Sequence, residues 1–133
     1  VKSIITFLLL AVLSGCAVNS IVPLDMTPIM PLHVEQVKTI IIESMTAKGY
    51  DLRKNDPLVF EKEIKSIFLA ALYSSKYDNH PIFRVTITLL PVDVSTKVII
   101  NSEAVSNQGS AFERSNKTTA NKDIDALLSV LKK

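Results

Sequence analysis

The chain has 133 residues and a formal charge of +2, with 15 basic residues against 13 acidic ones. That near-neutral balance, with no basic block and no acidic tail, gives no electrostatic footprint for nucleic acid. The absence of Trp, with three Tyr and five Phe as the other aromatics, argues against a carbohydrate-stacking surface.

In chain order the first feature is a leader. Lys2 precedes an apolar run, Ile4 to Leu13, interrupted only by Thr6 and followed by Ser14, Gly15 and Cys16. Ten apolar-run residues at ~1.5 Å each are too few to cross ~30 Å of hydrocarbon, so the run reads as an export signal and not as a retained span. Leu13-Ser14-Gly15-Cys16 resembles the lipobox of bacterial lipoproteins, with the only cysteine of the chain at the required position. The resemblance implies cleavage between Gly15 and Cys16 and lipidation of Cys16, with palmitate-type acyl chains inserted in a membrane. It also implies outer-membrane sorting, because Ala17 is not the Asp of inner-membrane retention. The alternative is an ordinary secretory signal with a free or buried thiol. Acylation of Cys16 would leave no thiol, which removes disulfides and Cys-based metal sites. The 47% hydrophobic content and the mean hydropathy of +0.28 are raised by this leader and do not indicate an integral membrane protein.

Residues 16–32 carry Pro23, Pro28 and Pro31 without a clear period and read as a tether, part of it apolar enough to pack on a domain. One small domain is expected over residues 33–133. His33 to Lys48 reads as a helix, with Val34, Val37, Ile41 and Met45 on one stripe and Gly49 at its end. Tyr50 to Lys54 and Leu58 to Lys62 read as a hairpin about Asn55-Asp56-Pro57. Ile64 to Ser75 reads as a short helix with Ile64, Ile67, Phe68, Ala71 and Leu72 at helical spacing; a strand running on from Phe60 is the alternative.

Phe83, Val85, Ile87 and Leu89 alternate with Arg84, Thr86 and Thr88, a clear strand pattern. Val94 to Val105 is its hairpin partner, with the turn over Asp93 to Lys97. Ser106 to Asn121 reads as one long loop. Asn121 is an N-cap for a last helix, with Asp123 and Asp125 in its first turn and Ile124, Leu127, Leu128 and Leu131 as its buried stripe. The order is helix, two strands, short helix, two strands, helix. Amphipathic helices and a half-apolar antiparallel sheet bury each other in an α+β, two-layer helix-on-sheet sandwich.

Catalytic constellations stay at background level. His33 and His80 lack ligand spacing, so no metal is expected. No GxSxG or SxxK nucleophile motif occurs, and no Gly-rich phosphate cradle, so no cofactor is expected. The carboxylate pairs Glu61/Glu63 and Asp123/Asp125 are explained by strand solvation and helix capping. Asn116-Lys117-Thr118 matches a glycosylation sequon that a bacterial lipoprotein would not ordinarily use. The long loop, with Phe112 flanked by Glu113 and Arg114, is the candidate partner contact; the alternative is that Phe112 tucks over the core. The expectation is a non-enzymatic envelope lipoprotein, anchored by its N-terminal lipid, acting as an accessory or structural subunit with an envelope protein partner. A small-ligand or inhibitor module is the second reading.

Overall fold

A computed structural model describes residues 28–74, 80–118 and 121–133. The elements are β1 (Ile29–Met30), α1 (Val34–Ala47), β2 (Asp51–Asn55), β3 (Leu58–Glu63), α2 (Ile67–Tyr73), β4 (Ile82–Val92), β5 (Ser95–Ser106), β6 (Arg114–Lys117) and α3 (Lys122–Leu131). They build an α+β sandwich, as the pattern of the sequence leads one to expect. One antiparallel sheet runs β1-β5-β4-β3-β2, and β6 joins the same edge of β5 as β1, farther along the strand.

α1 forms because Val37, Ile41 and Met45 recur on one face, and all three are fully buried. His33 precedes it as N-cap, and its backbone N–H donates to Gln36 Oε1 at 3.3 Å. The helix ends at Gly49, whose φ of 80° is open to glycine at no steric cost. α3 begins at Asn121, whose side-chain oxygen accepts the Asp123 N–H at 3.0 Å. Ile124, Leu127, Leu128 and Leu131 turn inward as their spacing requires. Both helices bury their stripes against Leu58, Phe60, Val85, Ile87, Val98 and Ile100, which the strand register puts on one face of the sheet.

Four details depart from the expected layout. Within the segment read as a tether, Ile29 and Met30 pair with Lys97 and Thr96 of β5, and Met30 is buried. The β4–β5 turn is shorter than Asp93 to Lys97: Asp93 adopts φ 53°, the chain reverses over Asp93 and Val94, and Ser95 already pairs with Val92. The long loop is interrupted by β6, whose four residues are all exposed. Its side chains have no apolar alternation to betray it, because only its backbone joins the sheet. Finally, the second helix is shorter than expected and buries none of its residues.

Candidate functional site

The sheet has a second face, away from α1 and α3. Register places Glu61, Arg84 and Glu103 in one row across β3, β4 and β5 on that face. Residues 107–113, between β5 and β6, are fastened to this row. Arg84 Nε donates to Glu61 Oε1 at 2.9 Å, while Arg53 Nε and Gln108 Nε2 donate to Glu61 Oε2 at 3.2 and 2.7 Å. Arg84 Nη1 donates to Glu113 Oε1 at 2.8 Å, and the Gly109 N–H donates to Glu113 Oε2 at 2.8 Å. A single guanidinium thus bridges a strand carboxylate and a loop carboxylate, with charge-assisted bonds on both sides.

The electrostatics follow from that geometry. The Gly109 N–H and then Arg84 hold the Glu113 carboxyl below the usual carboxylate range. Burial works against the charge on Arg84, but bonds from Glu113 and Glu61 outweigh it and raise its pKa. Arg84 and Glu113 are therefore both held in their ionised forms, which suits a fastening and not a proton shuttle. Within the loop, Asn107 takes φ 55° and its Nδ2 donates to the Phe112 carbonyl at 3.2 Å, while Ser110 Oγ donates to the Asn107 carbonyl at 2.8 Å. This rigid turn projects Phe112, 73% exposed, away from the protein. Phe112 does not tuck over the core. Of the residues singled out in the sequence, Phe112 and Glu113 lie on this loop, one displayed and the other fastening it. Arg114 opens β6 at the exposed edge.

The other residues weighed for chemistry have structural work. Glu63 accepts from His80 Nδ1 at 3.1 Å when that nitrogen carries the proton. Asp123 receives Lys62 Nζ at 2.9 Å, and the same ammonium lies 5.0 Å from the centroid of the Tyr50 ring. Tyr50 Oη accepts from Asn121 Nδ2 at 2.8 Å. Burial pushes the Tyr50 phenol up to about 12, the Asn121 bond works the other way, and Asp123 adds to the rise. This clamp ties the start of β2 to the start of α3. Among the described residues, no group of three His, Cys, Asp or Glu is placed to hold a metal ion. No described helix is long and apolar enough to cross a membrane. Gly15 and Cys16 lie outside the described residues.

Sequence reasoning missed the larger surface. α2 has the sequence IFLAALY, without a charge, and three of its large apolar residues face solvent while Leu69 is half-buried: Ile67 is 89% exposed, Phe68 73% and Leu72 61%. The helix is held at its margins, where Ser66 Oγ accepts the Leu69 N–H at 3.5 Å and Tyr73 Oη donates to Thr118 Oγ1 at 3.5 Å. Beside it lies a shallow hollow lined by Glu63, Ile64, Lys65, Ala70, Ser74 and His80, among others. The periodicity of 64–75 signalled a helix; what it did not signal was that Ile64 is buried ahead of the helix while Ile67, Phe68 and Leu72 face outward. One sign was available, since Ile67-Phe68 and Ala71-Leu72 are adjacent pairs with no polar residue between Ile67 and Tyr73 to define an opposite, wet face. α2, the end of β5 and the 107–113 loop all belong to the end of the sheet where β3 finishes and β4 begins, so the exposed apolar helix and Phe112 share that end. Comparison with known proteins finds no matching family model and no matching curated sequence.

Proposed function

We propose that the protein is a bacterial lipoprotein, cleaved before Cys16 and anchored there by acyl chains, whose α+β domain works by contact with an envelope protein and not by catalysis. Outer-membrane placement with the domain facing the periplasm follows from Ala17 on the same reading. One observation supports the contact above all: the uncharged helix α2 turns Ile67, Phe68 and Leu72 to solvent. A folded domain rarely leaves large apolar side chains clustered on one short element unless something covers them. Phe112, displayed at the same end by a loop fastened through Glu113, supports the same reading.

The experiment is purification of the native protein from detergent-solubilised membranes, with intact-mass analysis and quantification of co-purifying proteins. The expected mature mass begins at Cys16 and includes acyl chains, and an envelope protein is recovered in stoichiometric amount. A Phe68→Ser variant, folded by circular dichroism, is expected to lose that partner. Recovery without any stoichiometric partner, or an unchanged partner on Phe68→Ser, overturns the contact reading.

A further inference from the structure

The opposite end of the sheet carries a second set of exposed apolar side chains. β4 runs from the α2 end to the Asp93–Val94 turn, a distance of about 33 Å at strand rise. At that turn Leu90 is 42% exposed, Val92 43% and Val94 71%, and Ile29 of β1 is 62% exposed beside them. Register places Ile29, Lys97 and Leu90 in one row across β1, β5 and β4 on the face away from the helices. Lys132 and Lys133, after α3, line a hollow with Pro28, Ile29 and Leu32 at this same end. Lys97 thus stands in the aliphatic row and Lys132 and Lys133 lie beside Ile29, while Asp93 is at the turn and Glu35 and Asp56 lie by Leu89.

We propose that this hairpin tip, with Ile29, Leu90, Val92 and Val94, docks onto the surface of an acidic phospholipid bilayer. The inference rests on the lipid-anchor reading of Cys16. The described chain begins at Pro28, immediately before β1 and next to the patch. Pro28 stands twelve positions after Cys16, and twelve residues of chain span at most about 40 Å. The anchor therefore joins the domain at this end, and the α2 end stands a further ~33 Å along β4 from that point of attachment. Aliphatic side chains at the headgroup boundary leave water, while lysines at the rim meet acidic headgroups. The tip is a two-residue hairpin turn that carries exposed aliphatic side chains to the limit of the sheet, whereas a protein partner has the α2 end to itself. The domain is bipolar.

The chain has no tryptophan, so Val94→Trp and Ile67→Trp each introduce a single tryptophan, excited apart from the three tyrosines at the red edge of the absorption band. The full-length membrane-purified variants are placed in vesicles of phosphatidylethanolamine and phosphatidylglycerol with brominated acyl chains. The Val94→Trp emission is expected to shift to the blue and fall severalfold relative to vesicles without bromine, and the Ile67→Trp emission to stay unchanged. If Val94→Trp is not quenched in protein whose mass shows acyl chains at Cys16, the docking proposal fails and the anchor stands. Equal quenching of both variants overturns the orientation and the proposal with it. A mass without acyl chains overturns the anchor and, with it, the docking that depends on it.

Discussion

At the scale of single residues the distinctive chemistry is the bridge from Glu61 through Arg84 to Glu113. It reads most easily as loop attachment: three side-chain donors converge on Glu61, whose side chain is only 9% exposed, and the outer carboxylate is held by one guanidinium and one backbone amide. Because the folded state depresses the Glu113 pKa, its contribution to stability is fully present above the unfolded value of 4.5 and is lost as pH falls through the lower folded value. Glu113→Gln is therefore expected to flatten the loss of stability below about pH 5. Denaturant midpoints measured across the acid range check it; identical acid limbs for wild type and variant would remove Glu113 from the account. Single residues were also the least legible in the sequence. Phe112 was visible as the one large apolar side chain in a polar stretch. Glu61 was not, because a glutamate in a strand gives no sign that two arginines and a glutamine, eight to 47 positions away, will meet it.

At the scale of elements, local rules explain the successes and the misses alike. α1 and α3 were legible because their stripes, caps and stops agree, and agreement across levels is what specifies an element. Gly49 belongs to that agreement. A Cβ placed there would meet only Lys62 Cε, at 4.0 Å, so space is ample and the constraint is the φ of 80°. Gly49→Ala is expected to cost about 1–2 kcal/mol through the left-handed backbone alone, read as a lower chemical-denaturation midpoint with an unchanged slope. A neutral result would mean that the turn relaxes. β6 was illegible because strand pairing is a backbone property, and RSNK offers no side-chain alternation. α2 was legible as a helix, but not as an exposed one, because periodicity reports that a stripe exists and not what covers it.

At the scale of the whole molecule, the core lies between one sheet face and two helices, while most of the exposed large apolar residues among those described, Leu52 and Val130 apart, cluster at the two ends of the sheet. Since both clusters are already solvent-exposed, Phe68→Ser and Val94→Asp are each expected to change folding stability by no more than about 0.5 kcal/mol. Combined, they are expected to add, because the ends share no partner and stand about 33 Å apart. Thermal or denaturant unfolding of the two single variants and the double variant tests this; a large loss from either one would make that patch part of the fold and not a surface for others. The α+β class was legible because alternation and helical stripes must bury one another. The division of labour between ends was not, since it depends on which strand termini the topology gathers together.

That topology also orders events in time. β4 and β5 meet across a two-residue turn, so their ladder can zip from a local start, whereas Ile29 must wait for Lys97, roughly seventy residues downstream. Closing so long a loop for a two-residue strand gives little in return until the rest of the sheet exists. The first strand among the described residues is thus expected to be placed after the β4–β5 ladder it pairs with. A chain made from its N-terminus thus carries Ile29 and Met30 unpaired until Ser95–Ser106 has been made.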